Sequence, residues 1–484
     1  MRVIIASVFL LLSVFLLIFA TRFDFEIEQN NRENSEHSKR EWKLDDEPKN
    51  LFSFLQISDI HISKFKDPKR IEDFRTFCSE VNSVIRPKII IISGDLTDAK
   101  SKLLGSQQYV EEWTAYRKVL EETEVLNKTF DVRGNHDNFN VPFLYSSEDL
   151  FRNFSAQGTL HKRSYLHQIE FEEIKYNFMA LDASTEPGMR RPYNFIGLMD
   201  SDEIARVETM MNEKPANITV WFAHYPTSTI MISSGIDLRK FIGKFKSSSV
   251  FVAGHLHTLG NLVYHMYTLQ PEGFLELELG DFMKHRLFRL SVFDHGLFSF
   301  VDVRLGTWPL AIITNPKNIL FNNPFKEDSN LQSKSTHIRI LAFSTAFVRS
   351  CKIRINGGEW FNCERKTETF FVAPWEPSLY KHGKHKIEVF VDDANGKTFS
   401  QEQFFAIDGT RGNFDFLAKF VLMSDITIIF QTAFLGAFFF CLTSMLFFKS
   451  WQLLIKCKAK IFYTNNLYLT LLLCSQTVNS GHQK

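Results

Sequence analysis

Two long apolar runs bracket the chain, and the pattern between them is mixed. The first runs from Val3 to Ala20, after Met1-Arg2 and before Thr21-Arg22-Phe23-Asp24. One basic residue ahead of such a run is the form of a secretory signal or signal anchor, so residues 1–22 are assigned that role, cleaved or retained. The second, Ile426 to Phe448, is broken only by Gln431, a glycine and a few Ser and Thr. It is long enough to span a bilayer, and a transmembrane helix is expected over residues 420–449. Lys449, Lys456, Lys458 and Lys460 follow directly, which predicts that the C-terminal side is cytosolic. Residues 450–484 read as a basic cytosolic segment and the start of a second membrane helix from Ile461 to Leu473. Together the two runs put residues 23 to about 420 in the secretory-pathway lumen or outside the cell.

Within that span, residues 23–50 are polar and charged and read as a flexible linker. Leu51–Ile57 is a short apolar strand. Residues 69–85 place Ile71, Phe74, Cys78, Val81 and Ile85 on one helical face, and residues 105–122 do the same with Tyr109, Trp113, Tyr116 and Leu120. Lys88–Ser93 is a β-branched run of the kind buried on both faces of a sheet. Thr129–Arg133, Ile218–Ala223 and Val250–Ala253 complete a strand–helix alternation that predicts a layered α/β domain over residues 51–304. Strand follows strand from Phe274 to Val303. After Leu305 the helical period disappears. The runs 311–314, 337–342, 351–355, 369–372, 386–391 and 403–407 are separated by turn signals such as Asn356-Gly357-Gly358 and Asn395-Gly396. This predicts an all-β sandwich of immunoglobulin-like type over residues 305–412.

Charge narrows the partners. The 484 residues carry 56 Lys+Arg and 55 Asp+Glu, too even a balance for a nucleic-acid partner held by bulk charge. Six cysteines are too few for a disulfide scaffold; Cys351 and Cys363 flank a hairpin and could pair in an oxidising lumen. The sequons at Asn127, Asn153 and Asn217 fall in the lumenal span, and the glycoprotein expectation rests on them.

The candidate chemistry lies just past the strands. Asp59-Ile60-His61 follows the first, Gly94-Asp95-Leu96-Thr97-Asp98 the second, Gly134-Asn135-His136-Asp137 the third, His224 the fourth and Gly254-His255-Leu256-His257 the fifth. Ligands of α/β domains collect at the carboxyl ends of strands, so the ordered set reads as one constellation although each member alone is weak. Two divalent cations about 4 Å apart need an anionic bridge, and Asp95 is placed to provide it. Imidazoles and an amide oxygen complete coordination while leaving room for a phosphate. Mn, Fe or Zn suits such donors better than Ca. Tyr225, Pro226, Asp281, His285, Arg286, Asp294 and His295 are candidates for the substrate side.

This ordered set resembles the calcineurin-like metallophosphoesterase superfamily. The segments 55–61 (Leu-Gln-Ile-Ser-Asp-Ile-His), 132–137 (Val-Arg-Gly-Asn-His-Asp) and 253–260 (Ala-Gly-His-Leu-His-Thr-Leu-Gly) carry the likeness. Residues 293–300 and 308–317 point to a narrower, membrane-anchored animal branch. The resemblance implies a four-layer α/β/β/α sandwich. It implies a first metal on Asp59, His61 and His257, a second on Asn135, His224 and His255, and Asp95 between them. His136 would be general acid or phosphate ligand, oriented by Asp137. Asp98 stands where the sister purple acid phosphatases carry a tyrosine ligand, which argues against a tyrosinate-bound ferric site. The branch normally carries further membrane helices, so the C-terminus is expected to be incomplete or a short form.

The function expected is that of a membrane-anchored two-metal phosphoesterase. It would hydrolyse a phosphate ester, lipid-linked in one version, by attack of a metal-bridging hydroxide. The alternative is a catalytically silent lumenal binding or adhesion module that keeps the metal site for structure.

Overall fold

The protein is described from a computed structural model covering residues 42–101, 105–328 and 330–479. The expected signal or anchor, and the linker up to residue 41, lie outside the described residues. The chain divides into two units between Ser424 and Asp425.

The first unit is built on two facing sheets. One runs in the order 297–304, 287–294, 51–57, 89–92, 129–131, with its last three strands parallel. The other runs 267–269, 275–278, 248–253, 218–223, 174–181, 165–171, with the middle four parallel. Strand alternation explains why the inner strands 89–92, 218–223 and 248–253 are mostly apolar on both faces. Phe52, Phe54, Ile89 and Ile91 point between the sheets, where they meet Tyr176, Phe178, Val220, Phe222, Val250 and Val252. The intervening residues point outward. Leu55, Ile57, Ile90 and Ile92 pack on Phe74, Phe77, Trp113 and Tyr116 of one helical layer. Met179, Leu181, Trp221 and Phe251 pack on Ile204, Val207, Leu238 and Phe241 of the other. The result is an α/β/β/α sandwich.

Nine of the chain's 50 phenylalanines are buried in the core between the sheets. Phe54 meets Phe178 edge-on at 5.5 Å, Phe52 meets Tyr176 at 4.7 Å, and Phe293 lies 5.2 Å from Phe298. Offset and edge-on ring pairs add about 0.5–1.5 kcal/mol each beyond area burial.

The immunoglobulin-like part holds two four-stranded sheets, 310–315/337–343/370–374/364–365 and 361–362/348–355/385–393/398–405. Ala311, Ile313, Ile338 and Ile340 fill the core between them. The opposite face of the first sheet, with Leu310, Ile312, Leu341 and Phe343, joins the core around Phe77 and Phe288. The sandwich is therefore fused to the α/β part through shared core. Cys351, on strand 348–355, and Cys363, between the short strands 361–362 and 364–365, are free thiols, with the Cys363 N–H donating to Cys351 O at 2.8 Å.

After the sandwich the chain returns to the α/β part. Helix Phe416–Met423, capped by Asp415, buries Ala418, Val421 and Leu422 against Leu256, Val263 and Met266. Residues 420–423 thus belong to a separate short helix, not to the long apolar one.

The second unit is a single helix, Ile426–Asn479. Asp425 starts it by accepting from Ile428 N at 3.1 Å. Its stretch Ile426–Lys458 is long and apolar enough to cross a membrane.

Candidate metal centre

Parallel pairing carries the chemistry to one edge. Leu55 aligns with Ile90 and Ile57 with Ile92, so Asp59 and Asp95 leave the sheet side by side, tied by Asp59 N–H to Gly94 O at 3.1 Å. In the second sheet Val252 aligns with Phe222, which brings His224 level with Gly254, whose N–H donates to His224 O at 2.9 Å. Both parallel sets point the same way, and the loops converge above the core between them.

His257 Nε2 lies 2.9 Å from Asp59 Oδ1, and His61 Nε2 lies 3.7 Å from the same oxygen. On the other side Asn135 Oδ1 is 2.9 Å from His224 Nε2 and 3.1 Å from His255 Nδ1. Asp95 stands between the groups: Oδ2 is 3.5 Å from His61 Nε2, and Oδ1 is 3.4 Å from His224 Nε2. The donor atoms of Asp59, His61 and His257 lie within 4.8 Å of one another, as do those of Asp59, Asp95 and His224 and those of His61, Asp95 and His136. The last group puts His136 beside Asp95, with Nε2 3.8 Å from Asp95 Oδ2.

Backbone carbonyls fix the imidazoles, because a carbonyl only accepts. His224 Nδ1–H donates to Ser93 O at 2.9 Å and His255 Nε2–H to Phe195 O at 2.9 Å. Each ring's other nitrogen is left with a lone pair directed at the centre. His136 Nδ1–H donates to Asp98 O at 2.7 Å in the same way. This corrects the role expected of Asp137. Its carboxylate touches no imidazole; it accepts from Gly134 N at 2.9 Å, Thr97 N at 3.0 Å and Leu96 N at 3.1 Å, clamping the two loops together. Burial pushes its carboxyl up to about 6. Arg133, buried between Asp149 at 2.9 Å and Asp182 at 2.8 Å, anchors the same loop from below.

The donors suit divalent cations. Burial pulls His224 down to about 4 and drives His136 and His255 well below the usual imidazole range, so these rings offer lone pairs rather than protons. Burial, then the charges of Asp59 and Asp137, lifts the Asp95 carboxyl well above its ordinary value. Burial also acts to raise Asp59, but the charge and hydrogen bond of His257 outweigh it. Both ring nitrogens of His61 are buried without a hydrogen-bond partner. Buried polar atoms are seldom left so, and a cation beside Asp59, His61 and Asp95 would satisfy them.

The expected substrate-side residues divide. The Tyr225 ring lies tilted 4.7 Å from that of His255, and Asp281 Oδ2 lies 3.6 Å from His257 Nδ1 and 2.7 Å from His285 Nδ1. Arg286 turns away to Asp73 at 2.6 Å. Asp294 and His295 are at the opposite sheet edge, since Asp294 pairs with Leu51 at the start of the first strand. There Asp294 binds Arg339 of the sandwich at 2.8 Å. Antiparallel pairing sends the end of that strand away from the site. Asn194, which donates to Asn135 O at 3.1 Å, and Glu112, which accepts from Lys64 N and Ala99 N at 2.9 Å each, were not singled out from sequence. Asn194 lies in a loop without periodicity. Glu112 looks like an exposed helix residue until the fold places it under two site loops.

Residues 52–259 match the calcineurin-like phosphoesterase family, and residues 306–411 match the TMEM62 Ig-like domain. Over 411 residues, 83% of this chain, the sequence is 39% identical to transmembrane protein 62 of Mus musculus, covering 62% of it. An Arabidopsis thaliana relative carrying a metallophosphoesterase name is 26% identical over 436 residues, 74% of this chain and 58% of its own. The chain thus spans less than two thirds of the length of either relative. Among solved structures, purple acid phosphatase PPD1 from yellow lupin aligns with a TM-score of 0.31 at 10% identity, covering 76% of this chain and 57% of that one.

Proposed function

The chain carries a calcineurin-like metallophosphoesterase domain joined to an immunoglobulin-like domain of the transmembrane protein 62 type, and from that premise we propose that it hydrolyses a phosphate ester at a two-metal site on the lumenal or extracellular face of a membrane. The observation that carries this reading is Asp95, whose two carboxylate oxygens face separate donor groups. Asp59, His61 and His257 would hold one cation, Asn135, His224 and His255 the other, and Asp95 both. When bound, the pair supplies Lewis acidity, acidifying water near neutral pH and drawing charge from phosphoryl oxygens. The protein's own part is orientation. Ser93, Phe195 and Asp98 fix the imidazoles through their carbonyls. His136 is turned so that Nε2 faces the Asp95 corner; protonated there when an anionic phosphate is bound, it would donate to a phosphoryl or leaving oxygen.

Placement has separate support. Asn127, Asn153 and Asn217 are exposed, as glycan acceptors must be, and the lysines after Phe448 favour a cytosolic C-terminal side. Tethering favours a phosphate ester carried on a lipid, because anchoring raises its effective concentration.

The test is turnover of an aryl phosphate and an aryl phosphodiester by the metal-loaded full chain. Asp95→Asn is expected to abolish turnover. His136→Ala is expected to lose turnover while keeping most of its metal. Wild-type turnover in Asp95→Asn would remove the mechanism, and bound metal without turnover in the parent would favour a binding module.

A further inference from the structure

We infer that the loop 258–266 and the helix Phe416–Met423 form a face that docks on the lipid bilayer the chain spans, holding the metal centre at the bilayer surface. This rests on the membrane span within Ile426–Lys458 and goes beyond the phosphoesterase reading, whose chemistry it does not need.

The helix leads straight into the span. As a helix, Ile426 to Phe448 is about 34 Å long against about 30 Å of hydrocarbon, so the span starts within a turn of Ile426. Only Ser424 and Asp425 separate Ile426 from Met423. The short helix therefore ends within about 11 Å of the hydrocarbon, whatever direction the span takes. The head-group layer fills about 5–8 Å of that gap. The exit point is fixed on the first unit. Arg239 donates to Leu422 O at 3.1 Å and to Ser424 O at 2.7 Å, and Gln270 Nε2 donates to Leu422 O at 3.1 Å. The loop is seated on the same helix. Val263 and Met266 share one buried cluster with Ala418, Val421 and Leu422, and with Leu256, which stands between His255 and His257. Backbone hydrogen bonds hold the loop in shape: Leu259 N–H donates to Leu256 O at 2.9 Å, Val263 N–H to Thr258 O at 3.1 Å, and Glu278 N–H to Met266 O at 2.9 Å.

The surface of this cluster suits lipid. Leu262 and Tyr264 flank the buried Val263, yet they are 77% and 67% exposed. Phe416 and Leu417 are exposed just ahead of the buried Ala418. Exposed apolar side chains scattered singly are ordinary, but these four border one cluster beside a membrane entry. From Gly254 to Pro271 the chain holds no Asp, Glu, Lys or Arg, so the loop can meet lipid without stripping water from a charge. Tyr264 has the apolar ring and polar tip favoured at head-group level. Lys419 is the one charged residue of the helix, and a lysine stem can lie on apolar surface while its ammonium stays among phosphates.

The experiment places the full chain in phosphatidylcholine vesicles containing a diazirine-bearing phospholipid, photolyses them and maps lipid adducts by mass spectrometry. Leu160 and Leu379, which are as exposed but outside this cluster, are the internal controls. Adducts are expected in residues 426–448, and in 258–266 at least about fivefold above the two controls. Leu262→Asp combined with Tyr264→Asp, both at exposed positions, should lower the loop adducts about fivefold and leave those in 426–448 unchanged. Adducts in 426–448 with the loop no higher than the controls would overturn the docking face and leave the span standing. Adducts in neither would sink the span and the face together. Loop adducts undiminished in the double variant would also overturn the face. An adduct-free loop whose hydrogen exchange slows as protein concentration rises would give the face to a second copy of the chain and overturn the bilayer as its partner.

Discussion

Asp59, His61, Asp95, His255 and His257 all have positive φ, from 51° at His61 to 80° at His255. Side-chain-bearing residues adopt this left-handed region at a cost of about 1–2 kcal/mol each. Its concentration at one site fits a backbone bent to aim donor atoms rather than to satisfy local preference. Close glycines complete the bend. A Cβ on Gly254 would stand 1.9 Å from Ser58 Oγ and 2.5 Å from Asp59 Oδ2, and one on Gly134 would stand 2.2 Å from Asp95 Oδ1. Gly254→Ala is therefore expected to displace Asp59 and weaken metal affinity roughly 10- to 100-fold, the range found for groups that support ligands. Isothermal titration with Mn²⁺ measures it, and unchanged affinity would show that the site does not depend on this approach. At this scale the sequence was informative about residue types and silent about orientation. The order Asp-x-His, Gly-Asp, Gly-Asn-His-Asp, His and Gly-His-x-His could be read directly. That Asp98 orients His136 through its main chain, while Asp137 binds backbone N–H groups, could not, because carbonyl contacts leave no residue-type signature.

Elements buried on both faces were the most legible. Ile89–Ile92 is apolar at every position, and Ile218–Ala223 at every position but Thr219, because they lie between two packed layers, and the structure places them inside the sheets. The half-exposed strand Tyr165–Phe171 at a sheet edge, and its partner Ile174–Leu181, went unread. So did helix Ser201–Glu213, although Asp200 caps it by accepting from Glu203 N at 2.7 Å, a signature present in the sequence. Residues 105–106 pair as a strand, and the helix expected over residues 105–122 is Val110–Glu122, starting later than periodicity alone suggested. The element with most consequence is helix Phe416–Met423. Arg239 donates to Leu422 O at 3.1 Å and to Ser424 O at 2.7 Å, and Leu422 is fully buried beside the loop that carries His257. Leu422→Ala should cost about 2–5 kcal/mol of local packing. Hydrogen exchange is expected to quicken both in 416–423 and in 256–266. Unaltered exchange in 256–266 would show that the helix does not brace the metal loop.

At the scale of the whole molecule, fusion of the sandwich to the α/β part was not foreseeable, because a shared core leaves the same apolar alternation as a separate one. Arg339 marks the joint. Buried on the sandwich side, it binds both oxygens of Asp294 at 2.8 and 3.0 Å and donates to Asp45 O and Glu47 O. Removing one partner of such a buried pair costs about 3–5 kcal/mol, so Arg339→Met should lower the thermal midpoint of the first unit. Burial acts to raise the Asp294 carboxyl, but Arg339 and His295 outweigh it and bring it down to about 2. A depressed carboxylate stabilises the fold above its unfolded pKa, and that share is lost as pH falls through the folded value. The gap in stability between the parent and Asp294→Asn should therefore be full at pH about 5, shrink from about 4 downward and close near 2, with about 2 kcal/mol at stake. A gap independent of pH would rule out this ion pair as its source.

The central claim, that Asp95 bridges two cations, is tested most directly by electron paramagnetic resonance of the Mn²⁺-loaded full chain. A pair of ions sharing a carboxylate gives an exchange-coupled spectrum, and Asp95→Asn should convert it to the signal of isolated Mn²⁺ or abolish it. An isolated-ion spectrum in the parent at saturating metal would contradict the account.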